Sequence, residues 1–250
     1  YVLLGTRLPP GNGSDNPVPG FVVVPMSDCR MVEDWDTMGL AATGSHAVAL
    51  DDVFVPDHRA LPIPVFASSD APGQVAFETK LGDYPVFSVG SHGLAATAVG
   101  CLQGALLEFA TMLKEWRAGA LGPTMGTQVA DFQSVQIRVG HAGAALKAAK
   151  ALLFRQMEDS RQALYDHGDA LDIGARIDNR IAQGYAIQLA IRGLDQLWGA
   201  AGGTGIRNKE IVQRAWRDAH AVSHHAFFNW DALSAMYGQH NLGLDPIGLY

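Results

Sequence analysis

Trp216–Gly238, WRDAHAVSHHAFFNWDALSAMYG, has a helical period and carries three of the nine histidines of the 250-residue chain. Its spacing predicts one continuous helix, with His225 and Asn229 on one face and His220, His224 and Asp231 on another. Phe227 and Phe228, with Trp230 and Tyr237, surround these imidazoles. Burial and neighbouring groups tune the proton affinity of a ring in such a setting, which makes it a candidate for acid–base chemistry. A structural histidine is the alternative. A metal is a second one, since His at i and i+4 can share an ion, but no HExxH pattern accompanies the pair.

Working outward, the periodicity predicts helices at about 84–116, 128–160, 172–200 and 207–238, rich in Ala, Gly, Leu and Gln. The turns AGALGPTMG, YDHGD and AAGGTG separate them, which is the pattern of a four-helix bundle. The first 66 residues read differently. YVLLG and FVVVP are strand-like, with PPGNGSDNPVPG as a loop between them. Cys29–Trp35 and His46–Val55 form a second strand pair around the small-residue turn GLAATGS, where backbone N–H groups can approach a ligand closely. SSDAPG marks a linker within residues 67–83. The expected architecture is α+β: a β-domain over 1–75, incomplete at its start, then a four-helix bundle over 84–250.

Hydrophobic residues make up 48% of the chain and charged ones only 17%, as suits helices buried on more than one side in an oligomer. A net charge of −7 with no basic run argues against nucleic acid. Cys29 and Cys101 are isolated and lack metal-ligand spacing, consistent with a reducing cytoplasm. Val86–Leu113 is apolar, but Ser88, Ser91, His92, Gln103 and Glu108 interrupt it, so a bundle helix is expected there and no membrane span. Opening at Tyr1 without an initiator Met, the chain reads like the later part of a longer protein.

WDTMGLAATGSHAVALDDVFVP (Trp35–Pro56) resembles the β-domain segment of the acyl-CoA dehydrogenase superfamily. DFQSVQ (Asp131–Gln136) is similar to the FQxxQ of its bundle, and GGTGI (Gly202–Ile206) to its GGxGY turn. The separation from GGTGI to the arginine of WRDAH also fits. The order is collinear over nearly the whole chain, so the resemblance implies a β-barrel-like domain part followed by the dehydrogenase-type bundle. Two departures bear on the chemistry. The dehydrogenases carry their catalytic glutamate nine residues after that arginine; nine after Arg217 is Ala226. Gly122 stands where they keep an arginine for the FAD pyrophosphate, which favours FMN.

A branch of the superfamily lacks both features: the oxygenase components of two-component flavin monooxygenases, of the p-hydroxyphenylacetate, steroid-intermediate and dibenzothiophene types. Their WDxxGLRGTGS segment resembles Trp35, Gly39, Leu40, Thr43, Gly44 and Ser45 here, with Ala41 in place of a common arginine. The resemblance implies hydroxylation of an aromatic, phenolic substrate by O2 through a C4a-hydroperoxyflavin. The flavin would be reduced FMN, or FADH2, supplied by a separate reductase. Catalytic candidates are His225, its rival His224, and Asn229. Cofactor candidates are Trp35, Thr43, Gly44, Ser45, Gln133, Gly202 and Gly203, with Gln136 beside them; Phe228 and Trp230 would face the substrate. A cytoplasmic homotetramer without a metal is implied. Two other classes stay open. One is an acyl-CoA dehydrogenase using Glu108 or Asp231 as base; the other is a non-catalytic truncated bundle.

Overall fold

The computed structural model describes residues 1–10, 16–66, 73, 76, 85–119, 125–167 and 170–250. Residues 11–15 of the PPGNGSDNPVPG loop, nearly all of the 67–83 linker, Gly122 and the end of the YDHGD turn lie outside the described residues. The chain divides into two compact units: Tyr1–Thr37 with Ala41–Val86, and Met38–Leu40 with Phe87–Tyr250.

In the first unit, β1 (Val2–Leu8) and β2 (Val18–Val24) pair antiparallel, from Val2 opposite Val24 to Leu8 opposite Val18. β2 alternates buried Val22 and Val24 with less buried neighbours, the period of a strand covered on one face. β3 (Arg30–Val32) pairs with β4 (Ala47–Ala49), and β5 (Ala60–Pro62) adds to the free edge of β2. The strand expected over His46–Val55 stops at Ala49. Asp51 and Asp52 follow, and Asp52 takes φ 48°, a left-handed conformation that ends extended pairing.

The second unit is helical: α1 (His92–Leu113), α2 (Gln133–Arg161), α3 (Ile173–Ala201), α4 (Ile211–Ser223) and α5 (Trp230–Asn241). Ala95, Ala98, Leu102, Ala105 and Phe109 repeat at three and four residues and form the fully buried stripe of α1. α3 answers with Ala186, Ile187, Ala190, Leu194 and Leu197. By length and composition Val86–Leu113 could cross a membrane, yet this stripe lies in the bundle core. At the seam Gly193 faces Leu102, whose methyl carbons lie 2.7 and 2.8 Å from where a Cβ would stand.

The continuous helix read from Trp216–Gly238 is broken. α4 ends at Ser223, a tight turn occupies Ala226–Phe228, and α5 starts at Trp230. Asn229 causes the restart: its side chain accepts from the Ala232 N–H at 3.1 Å, and Asp231 sits in the first turn. His225 and Asn229 therefore do not share a helical face.

A buried polar network joins the start of α1 to α3. Arg180 Nη1 donates to Ser91 Oγ at 2.9 Å and to Gln183 Oε1 at 3.2 Å, and Ser91 Oγ donates to the same Oε1 at 2.5 Å. Gln183 Nε2 donates to the Ser88 carbonyl and lies 2.8 Å from His92 Nδ1, which is also 2.9 Å from the Val89 carbonyl. Burial pulls the Arg180 guanidinium down to about 10, still charged at neutral pH. Burial, seconded by the Arg180 charge and opposed by the Val89 carbonyl, lowers the proton affinity of His92.

Two predictions follow from this packing. Gly193→Val should destabilise the bundle by about 1–3 kcal/mol, because Leu102 is fully buried and has no space to yield; thermal unfolding measures it. His92 ionises less readily folded than unfolded, so the unfolded chain takes up the proton first as pH falls below about 6.5. Stability contributed by the neutral ring is complete above that pH and declines below it. His92→Gln should remove that part of the decline in chemical-denaturation curves; an unchanged profile would mean that His92 stays solvated.

Candidate functional site

The polar turn of the β unit begins at half-buried Trp35, whose N–H donates to His46 Nδ1 at 3.1 Å. Asp34 Oδ1 accepts from the Ala47 N–H at 2.8 Å, fixing the other side of the loop. Thr43, Gly44 and Ser45 are exposed, the two hydroxyl oxygens lie 3.4 Å apart, and Gly44 has φ 56°. This turn presents hydroxyls beside a conformation suited to glycine, donors fit for a planar ligand with polar edges.

Met38–Leu40 belongs to the helical unit, where it is held by the Arg217–Asp218 pair of α4. The Leu40 N–H donates to Asp218 Oδ1 at 2.7 Å, and Arg217 Nη1 donates to the Met38 carbonyl. A Cβ on Gly39 would stand 2.3 Å from the Arg217 carbonyl oxygen, so only glycine fits. Arg217 Nε is itself oriented by Gln213 Oε1 at 2.8 Å. The MGL and WRDAH motifs, far apart in sequence, are thus two sides of one contact.

The turn between α4 and α5 carries the imidazoles. His225 caps it: its Nδ1 accepts from the Phe227 N–H at 3.2 Å. The neutral ring then holds its proton on Nε2 and offers a donor there. His224 is the opposite case. Its Nδ1 lies 2.9 Å from the His220 carbonyl, which can only accept, so the proton is on Nδ1 and Nε2 is a bare lone pair. Both rings are exposed. His220 repeats the His224 pattern on the Trp216 carbonyl at 2.8 Å and stacks on the Trp216 ring at 3.9 Å. Among the described residues no three His, Cys, Asp or Glu side chains gather as a metal site.

The other residues singled out from the sequence are dispersed. Phe228 is buried in the core at 2% exposure, which leaves no ring face for a substrate. Trp230 is half-buried, with its ring 5.9 Å from Tyr185 and against Gly184. Asn229 spends its side chain on the α5 cap. Gln133 is exposed at the start of α2. Gly202 (φ 55°) and Gly203 are exposed where α3 ends, while Gly205 makes the close contact of that corner, against Ala201. At 1.5 Å per residue, Gly202 stands roughly 30 Å along the bundle from Arg180. One copy of the helical unit therefore does not bring Gly202 and Gly203 to the imidazole turn. Glu108 is exposed on α1 and Asp231 exposed in the first turn of α5.

The periodicity missed Ser91, His92, Arg180 and Gln183. Their signal was polarity inside apolar helix runs: Ser88, Ser91 and His92 interrupt the apolar lead-in to α1, and Arg180 and Gln183 fall on the inner face of α3. His92 lines a cavity of about 230 Å³ between α1 and α2, together with Gln103, Lys150 and Phe154.

Comparison with known proteins bears on this geometry. Residues 92–230 match the family described as acyl-CoA dehydrogenase, C-terminal domain. The chain is 35% identical over 256 residues to the oxygenase component of an FADH(2)-dependent resorcinol hydroxylase from Rhizobium sp., covering 100% of this chain and 62% of that relative. Among solved structures, 3-HSA hydroxylase from Rhodococcus sp. RHA1 superposes with TM-score 0.85 at 28% identity, over 98% of this chain and 61% of that one. XiaF from Streptomyces sp., in complex with FADH2 and glycerol, superposes with TM-score 0.83 at 27% identity, over 94% and 58%. The chain thus spans less than two thirds of the length of these relatives. With the Gly39 contact on Arg217–Asp218 and the glycine corner after α3 in place, shape and sequence agree: the chain belongs to the acyl-CoA dehydrogenase family, through that family's C-terminal domain.

Proposed function

We propose that this chain is part of the oxygenase component of a two-component flavin monooxygenase that hydroxylates a phenolic substrate. The observation that carries the reading is the turn from His224 to Asn229. It holds two adjacent imidazoles of opposite hydrogen-bonding sense, with Ala226 where a dehydrogenase-type base would stand. Reduced flavin, when bound, supplies the activation of O2. Exposed Thr43, Gly44 and Ser45 with half-buried Trp35 fit a flat ring system that has polar edges, and in this proposal they hold it.

The protein's own residues then divide the proton work. The Nε2 lone pair of His224 accepts the phenol proton, raising the electron density of the substrate ring. The Nε2–H of His225 donates to a negatively charged oxygen and holds it in place. Phe227, half-buried beside His225 at a 5.0 Å ring separation, limits water on that side. The name of the Rhizobium relative supports both an aromatic substrate and a separate reductase. It also names FADH2, so FADH2 is to be tested beside FMN. The sparse charge supports an oligomer and the isolated thiols Cys29 and Cys101 a reducing cytoplasm, and we assign a homotetramer in which residues 1–75 are part of the flavin-binding β-domain and 84–250 the bundle. The dehydrogenase reading gains nothing at this turn, because Ala226 stands where its base is expected, while Glu108 lies on α1 and Asp231 in the first turn of α5.

The complete protein, mixed with chemically reduced FMN or FADH2, O2 and a panel of phenols, should yield hydroxylated product. Reduction of oxidised flavin by an acyl-CoA thioester, with the phenols untouched, would reverse the assignment. His224→Ala should slow hydroxylation about 10²–10⁴-fold, the range for losing a general base. His225→Ala should divert oxygen to hydrogen peroxide and lower product formation about 10²-fold. His225→Asn, which keeps both the cap and an outward N–H, should restore most of it; equal loss in the two His225 variants would remove the donor role.

A further inference from the structure

Arg180 is 3% exposed, and among the described residues no carboxylate forms an ion pair with it. A buried cation without a counter-ion is strongly disfavoured unless its donors are satisfied. Here they are spread over three elements. Nη1 serves Ser91 and Gln183, and Nη2 donates to the carbonyl of Phe227. The guanidinium also lies 5.4 Å from the ring centroid of Phe227 and 6.0 Å from that of Phe228. Among the described residues its Nε has no hydrogen-bond partner, so the pairing of the cation rests on Nη1 and Nη2.

The partner at the centre is Phe227. Its N–H donates to His225 Nδ1 and thereby sets which nitrogen of His225 carries the proton. Its carbonyl accepts from Arg180, and its ring meets Phe87 edge-on at 6.0 Å. One residue therefore has both peptide groups committed, one to the candidate catalytic ring and one to the buried cation. The two groups belong to successive peptides hinged at the Phe227 Cα, so the grip on the carbonyl restrains the same backbone that aims the N–H at His225.

We propose that Arg180 is a positioning residue for His225: by gripping the Phe227 carbonyl from inside the bundle, it keeps the turn in the conformation that holds His225 with its proton on Nε2. This rests on the monooxygenase reading for its catalytic consequence, and on the turn alone for its structural one. A lysine retains the charge but not the forked donor that reaches Ser91, Gln183 and Phe227 together.

The test uses Arg180→Lys and Arg180→Met in the complete protein, with ¹⁵N NMR of the histidine side chains and the ratio of product to oxygen consumed. In the unaltered protein His225 should show a fixed Nε2–H pattern and His224 the Nδ1–H pattern. Both Arg180 variants should leave His224 unchanged and shift His225 to averaged signals, and the product ratio should fall toward that of His225→Ala. Adding Arg180→Lys to His225→Ala should then lower the ratio no further. If Arg180→Met does not fold, Arg180→Lys and the double variant still decide. A fixed His225 signal in a folded Arg180 variant, or additive losses in the double variant, would overturn the proposal. Absence of any hydroxylation by the unaltered protein would instead refute the monooxygenase reading and leave the NMR comparison standing.

Discussion

The seam between α1 and α3 governs the helical unit. Leu102 lies against Gly193 with less than a methyl group's clearance, and alanines at 95, 98 and 105 face a partner helix lined by Ala186 and Ala190. Small residues let the two backbones approach closely, and the large side chains between them fill the remaining space at interior density. Once these helices are fixed, their polar ends have no freedom. Ser91, His92, Arg180 and Gln183 are buried together and pair largely with one another, because burying an unpaired polar group costs about 1–3 kcal/mol.

That requirement reaches the turn between α4 and α5. Arg180 uses the Phe227 carbonyl as an acceptor, and Phe227 in turn shapes the cap made by His225. The imidazoles sit where α4 ends, so their Nδ1 atoms meet two different backbone partners: a carbonyl of the last helical turn for His224, an N–H of the next turn for His225. Neighbours in sequence thus become a proton acceptor and a proton donor. The chemical difference comes from the backbone, since both side chains are the same and both are exposed. This division distinguishes the turn from one built around a single carboxylate, and it suits a reaction that removes a proton from one oxygen while holding another.

Much of the architecture was legible in the residues. The three- and four-residue spacing of small and large apolar side chains predicted α1, α2 and α3, and the Gly-rich turn after α3 was visible as GGTGI. The stretches Trp35–Pro56, Asp131–Gln136 and Gly202–Ile206, with the spacing to Arg217, carried the family resemblance; the structure adds that Gly39 of the first stretch leaves room for the Arg217 carbonyl. The continuous helix over Trp216–Gly238 failed because average periodicity cannot register a cap. Asn229 followed by Trp230 and Asp231 is a helix start, and its hydrogen bond to Ala232 outweighs the helical pattern running through it. Phe228, read as a substrate wall, faces the core for the same reason: the break re-aims the side chains after His225.

The sequence alone determined the composition of the two halves, the apolar period of the helices, the family resemblance and the presence of histidine and alanine in place of a glutamate. These are local or collinear properties, readable from residue identity and spacing. Only the folded structure decided which ring nitrogen of His224 and His225 faces outward and that Arg180 lies buried beneath them. The burial of Arg180 depends on groups brought together from distant parts of the chain, whereas the two rings are set by nearby backbone groups, four residues back for His224 and two ahead for His225. Hydrogen bonds to carbonyls and amides leave no mark in the order of the side chains.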